Sequence, residues 1–168
     1  VLTHNIKAIE RDCRPMIRGL QLAMDLVHAD KGVIAIKAIH GDAVRALQQA
    51  IAADDRLALH FLPNVYPVGE ERAVVREVLG TLLDAGSLPS KAGAVIINVE
   101  TLQRVAEAVD DKKPLIDKDV TVAGKLNGPE VQVFHDLPLG MAVSDVLEKA
   151  GGLGKEYGEL IMGGPFMG

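Results

Sequence analysis

The sequence predicts an α/β fold: a three-layer domain around a parallel sheet, then a smaller unit of mixed strands and one helix. Two observations carry this. Short apolar runs at 33–36, 57–62 and 94–97 alternate with longer stretches whose apolar residues recur at helical spacing. Runs that are continuously apolar, rather than alternating, mark strands buried on both faces, as in parallel sheets. The rhythm then breaks at Lys112-Lys113-Pro114, and Asn127-Gly128-Pro129 separates two short strand-like runs, a hairpin signal.

Taken in order, residues 3–12 read as a short helix with Thr3 as N-cap. Residues 15–27 read as a second helix, with Pro15 in its first turn and Ile17, Leu20, Met24 and Val27 among its apolar residues. A strand at 33–36 follows, then a helix at 42–53 with Val44, Leu47 and Ile51 at helical spacing. A second strand spans 57–62. The next helix runs from 70 to 83, with Val74, Val75, Val78, Leu79 and Leu82 inward. A loop punctuated by Pro89 and Gly93 leads to a third strand at 94–97 and a helix from 100 to 109. This βαβαβα order argues for a Rossmann-like parallel sheet with right-handed crossovers. Beyond it come strands at 119–123 and 131–134, a helix at 143–150 ended by Gly151-Gly152, and a strand at 160–162, an order that is β-grasp-like. The expected domains are 1–117 and 118–168.

Composition narrows the function. The chain has 168 residues, 48% hydrophobic and 24% charged, with a net charge of −5 and no long basic run. Phosphate-driven nucleic-acid binding is therefore not expected. Only two Tyr and three Phe are present, with no Trp, so the core is aliphatic and platforms for base stacking are absent. One cysteine, Cys13, allows no internal disulfide and cannot hold an iron–sulfur cluster. It reads as a surface thiol, with Arg14 beside it able to lower its pKa. The five histidines are scattered without ligand spacing. No apolar run is long enough to span a bilayer. Val1 in place of Met, and the apolar Gly-rich close, are expected to be cut ends of a longer protein.

Two segments carry chemistry. Tyr66-Pro67-Val68-Gly69-Glu70-Glu71 and Ile97-Asn98-Val99-Glu100-Thr101 each join a strand to a helix. In open α/β sheets ligands bind at that edge. Each segment has two readings. Glu70 and Glu71 can complement a helix dipole or cap free amides, and Asn98 can do the same for the next helix. Alternatively, Gly69 lets the backbone approach a flat ligand, a carboxylate beside it accepts from polar ligand edges, and Asn98, Glu100 and Thr101 face the same crevice. No Gly-x-Gly-x-x-Gly, Walker-type or Gly-x-Ser-x-Gly motif is present.

These turns resemble those of the 51 kDa flavin-binding protein of respiratory complex I, in which Gly-Glu-Glu-Thr-Ala-Leu and Asn-Asn-Val-Glu-Thr-Leu flank FMN and the NADH site. The matching stretches here are Gly69 to Val74 and Ile97 to Leu102, with Ile97 in place of the first Asn. Over essentially the whole chain the layout is similar to the Rnf-C component of the Rnf electron-transport complex, through Tyr66 to Glu71, Leu88 to Val99, Lys113 to Ile116 and Gly163 to Gly168. Through Glu70 to Glu77 it most resembles the Rnf-C-like electron-transfer protein associated with D-proline reductase.

The resemblance implies an electron-transfer role. NADH would be the reductant, FMN and 4Fe-4S clusters the cofactors of the intact protein, and a redox subunit or reductase the partner, in the cytoplasm and peripheral to a membrane. It implies Gly69, Glu70, Glu71, Asn98, Glu100 and Thr101 as cofactor-binding residues and a soluble-ligand-binding β-grasp domain after Asp119. The family's Gly-rich flavin loop and its cysteine-rich region lie outside residues 1–168, so no tightly bound cofactor and no catalytic activity are expected of this stretch alone. A flavin-free docking module and a cobalamin-reductase-like protein are the alternatives.

Overall fold

The structure is a computed structural model that describes residues 3–155 and 158–164. Two compact units are present. The larger spans 8–113, and the smaller comprises 3–7 with 114 onward. The division falls inside the first helix, α1 (His4–Arg11).

In the larger unit the order is α2 (Arg14–Val27), β1 (Gly32–Lys37), α3 (Gly41–Ile51), β2 (Leu57–Leu62), α4 (Glu71–Leu79), a 3-10 turn (Pro89–Ala92) and α5 (Val99–Asp110). Strands β1 and β2 are parallel, in register from Gly32 opposite Leu57 to Lys37 opposite Leu62. The core is aliphatic, as the composition requires. Met16, Ile17 and Met24 of α2, Ile34 and Ile36 of β1, Val44 and Leu47 of α3, and Leu102 and Ala106 of α5 are buried.

The tightest packing is between α2 and α5. A Cβ built on Gly19 would lie 1.8 Å from the Leu102 carbonyl oxygen. No larger residue lets the two backbones approach so closely. Further along the same pair, the Arg18 guanidinium donates two hydrogen bonds to the Asp110 carboxylate at 2.8 and 3.0 Å. Gly32 is a second close approach, since a Cβ there would sit 2.6 Å from Met24 Sδ.

Cys13 is buried, not on the surface, and its thiol reaches the Ala46 carbonyl at 3.7 Å. Burial pushes the Cys13 thiol up, against the expected effect of Arg14. Helix α4 stops at Leu79 rather than continuing to 83, because Gly80 adopts φ 68° and its N–H bonds the Arg76 carbonyl. This left-handed cap is one that glycine adopts freely. The expected third strand at 94–97 does not form: those residues have no strand pairing, and Val95 is 63% exposed. The parallel sheet has two strands among the described residues.

In the smaller unit β3 (Asp117–Ala123) and β4 (Val131–Pro138) pair antiparallel, with the register shifting between Lys118 and Val120. Buried Asp119 holds that irregularity. One carboxylate oxygen accepts the Asp136 N–H at 3.0 Å, and the other lies 2.7 Å from His135 Nδ1. Helix α6 (Val143–Lys149) follows. The expected strand at 160–162 is not formed; Leu160, Ile161 and Met162 are exposed and unpaired in any sheet. Residues 165–168 of the closing motif lie outside the described residues. No helix among the described residues is long and apolar enough to cross a membrane.

Two expected outcomes test this packing. Gly19→Ala forces α2 and α5 apart and lowers stability by about 3 kcal/mol, at the upper end of overpacking costs, read from the urea midpoint. An unchanged midpoint would show that the helices do not meet there. Asp54 tests the link between α2 and the entry to β2. The Arg56 guanidinium, then the Gln21 amide, hold its carboxyl down to about 2, from an ordinary 3.8. A depressed carboxylate stabilises the fold above its unfolded pKa and loses that contribution as pH falls through the folded one. Asp54→Asn should therefore flatten the decline of the urea midpoint between about pH 4 and 2; a decline as steep as in the wild type would rule this out.

Candidate functional site

The two helix-entry turns each place a capping side chain at the N-terminus of a helix. In the first, the Tyr66–Pro67 peptide is cis and the Glu70 N–H closes a turn onto the Pro67 carbonyl at 2.9 Å. Buried Val68 anchors this turn. Glu70 is the N-cap of α4, and its carboxylate accepts the Ala73 N–H at 3.1 Å and meets Arg72 Nε at 3.4 Å. Burial opposes its ionisation, but the backbone N–H groups of Arg72 and Ala73 and the Arg72 side chain outweigh it and hold the Glu70 carboxyl below the usual range. In the second turn Asn98 is the N-cap of α5, its Oδ1 accepting the Glu100 N–H at 2.9 Å. Both capping readings therefore hold. They use one oxygen of Asn98 and the carboxylate of Glu70.

The remaining groups divide by exposure. Glu71, in the first turn of α4, is exposed and lines a cavity of ≈ 200 Å³. The opposite walls are Leu88 with Pro89 and Ser90 of the 3-10 turn that it precedes, and Ala94, Val95 and Ile96 of the run leading to Asn98. The cavity thus lies between Glu71 of the first turn and the run that precedes the second. Thr101 and Asn98 are exposed at the start of α5, whereas Glu100 is buried, 8% exposed, one residue round the helix. The structure therefore places Thr101 and Asn98 on open surface and turns Glu100 inward.

Gly69 is the least expected of the set. Its φ lies outside the left-handed region, and a Cβ there would meet nothing within 4 Å. Among the described residues, neither a left-handed φ nor a packing contact requires glycine at this position.

The wall at 88–90 is not among the expected site residues, although it falls in the Leu88 to Val99 stretch that carries the resemblance. Its signal is Pro89 at the first helical position and Gly93, φ 70°, as the left-handed cap. Among the described residues no group of three or more His, Cys, Asp or Glu is placed to hold a metal ion.

A parallel α/β unit with polar residues exposed at the N-termini of two of its helices has the form of a nucleotide- or flavin-binding domain. Residues 1–107 match the family model of the Nuo51 FMN-binding domain. The chain is 32% identical over 168 residues to the C component of the Na(+)-translocating ferredoxin:NAD(+) oxidoreductase complex of Acetobacterium woodii, covering 99% of this chain and 37% of that protein. It is 35% identical over 153 residues to the cobalamin reductase PduS of Salmonella typhimurium, covering 91% and 33%. It is 27% identical over 167 residues to the C component of the ion-translocating oxidoreductase complex of Yersinia enterocolitica, covering 99% and 24%. The chain belongs to the family of the complex I 51 kDa flavoprotein and Rnf-C. It spans about a third of the length of the first two of these relatives.

The division between the acids gives an expected outcome. Glu70→Ala removes an N-cap and should cost about 1 kcal/mol, whereas Glu71→Ala, with no cap to lose, should stay within about 0.5 kcal/mol. Urea unfolding measures both. Equal losses would show that Glu70 is not the capping residue.

Proposed function

We propose that this chain forms part of the FMN site of an electron-transfer protein that takes electrons from NADH and delivers them to 4Fe-4S clusters and a partner redox protein, in an Rnf-type system or beside a proline reductase. The observation that carries this reading is Gly69: a glycine with no steric reason to be one among the described residues, facing open space two residues before Glu71, which lines the cavity. A bound flat ring is a reason for it, because a backbone without Cβ can lie against a ring face. The family match over 1–107 supports the same assignment.

When bound, FMN supplies the conversion between two-electron and one-electron transfer. The residues supply placement. Glu71, free of capping duty, presents a carboxylate to polar edges of the ring or of the nicotinamide. Glu70 acts one step back, fixing the start of α4. Asn98, with its NH₂ group still able to donate, and Thr101 stand at the N-terminus of the 12-residue α5, where a helix favours phosphate. Glu100 supports that turn from beneath. A second reading, in which the electrons reduce a cobalamin, is favoured by the 35% identity to a cobalamin reductase. It keeps this site and changes only the acceptor.

The test separates ligand from fold at Gly69. Gly69→Ala should leave the isolated chain as stable as before or more stable by about 0.5 kcal/mol, since alanine lowers unfolded-state entropy where it fits. In an intact protein containing this chain it should lower FMN content. Glu71→Gln should lower NADH oxidation about tenfold at full flavin occupancy, as the loss of one charged hydrogen bond does. Wild-type flavin content and oxidation rates in both variants would leave the flavin-free docking module as the reading.

A further inference from the structure

The smaller unit contains an Asn–Gly pair that the electron-transfer reading does not use. The chain has four asparagines. Asn5, Asn64 and Asn98 precede Ile6, Val65 and Val99, whose branched side chains crowd the following backbone nitrogen. Asn127 alone precedes a glycine, Gly128, and it is exposed. With no side chain at 128, the nitrogen of that residue can approach the Asn127 side-chain carbonyl carbon.

Asn127 is also the centre of a clasp. Its side-chain NH₂ donates to the Leu153 carbonyl at 2.9 Å, and its backbone N–H donates to the Gly152 carbonyl at 3.0 Å. Beside it the Gly154 N–H donates to the Lys125 carbonyl at 2.8 Å, and Leu126 and Leu153 form an isolated antiparallel bridge. These bonds tie the β3–β4 connection to the segment after α6. Leu126 and Leu153 also line a cavity of ≈ 230 Å³ with Val122 and Leu147.

We propose that Asn127 is a site of spontaneous deamidation whose conversion opens this clasp. The Gly128 nitrogen attacks the Asn127 side-chain carbonyl carbon, a new C–N bond forms, and ammonia leaves. Water then opens the cyclic imide at either carbonyl, giving aspartate or isoaspartate. No oxidant or reductant is involved. In either product the amide donor facing the Leu153 carbonyl is replaced by a carboxylate. Two acceptors then face each other, and the 2.9 Å hydrogen bond is lost. Isoaspartate adds a methylene to the main chain at the same place.

The test incubates the 168-residue chain at mildly alkaline pH and follows its peptides by mass spectrometry, with hydrogen exchange on the same samples. The expected result is Asp and isoAsp at 127 ahead of the other three asparagines, with faster exchange of the Asn127 and Gly154 amides in the converted fraction. Asn127→Asp, made directly, should show the same faster exchange without incubation, and the β3–β4 ladder should stay protected in it. Conversion at 127 no faster than at Asn5, Asn64 or Asn98 would overturn the site. Wild-type exchange at Asn127 and Gly154 in both the converted fraction and Asn127→Asp would overturn the opening of the clasp.

Discussion

The larger unit depends on the crossing of α2 over α5. At Gly19 the two backbones come so close that the Leu102 carbonyl occupies the place of a side chain. Leu102 is one helical turn beyond Asn98, and its N–H bonds the Asn98 carbonyl at 3.1 Å. Whatever fixes Leu102 therefore fixes the start of α5. The Arg18–Asp110 pair, next to Gly19 on α2, ties down the far end of α5. That pair is solvent-exposed and contributes little to stability on its own, but two contacts at separate points set a helix's angle as well as its distance. The candidate site thus rests on apolar packing about one turn away, with no need for α5 to be anchored through its polar end.

The other half of the site is held differently. Helix α4 has one buried residue, Val75, and its first turn is set by the preceding chain: buried Val68, the Pro67–Glu70 turn and the Glu70 cap. A short amphipathic helix with a single core contact is positioned by its ends more than by its face. This explains why the two acids cannot be equivalent. Only the residue before the helix, with extended backbone, can return its side chain to the N–H three residues on. Glu70 has that backbone, with ψ 141°, so the cap falls to it. The following residue is then left facing the cavity.

Much of this is legible in the sequence, and the failures share a cause. Helices α2, α3 and α5, strands β1 and β2 and the 127–129 turn follow from apolar period and turn chemistry. The runs at 94–97 and 160–162 have the same apolar character as β1, yet neither pairs. Apolar composition reports a tendency to be buried; strand formation needs a partner at the correct register as well. The end of α4 at Leu79 departs from the pattern because Val78, Leu79 and Leu82 continue the helical spacing past Gly80, and here the glycine's left-handed cap outweighs that spacing. Burial of Cys13 and Glu100 has no local signature, since each depends on what packs above it.

The site residues are legible to different depths for the same reason. Asn98 and Glu70 are readable as caps because capping is local chemistry. That Glu71 and the 94–96 run share one cavity with Leu88 and Pro89 depends on the 3-10 turn folding back toward α4, which no local pattern encodes. Gly69 shows the opposite limit. In the sequence a glycine between strand and helix is ordinary, and its explanation by turn geometry is usually sufficient. Only the folded structure removes that explanation, by showing a φ outside the left-handed region and empty space where a side chain would fit. A residue whose type is unexplained by its own fold points to something outside that fold, and here it stands two residues before Glu71, which lines the cavity.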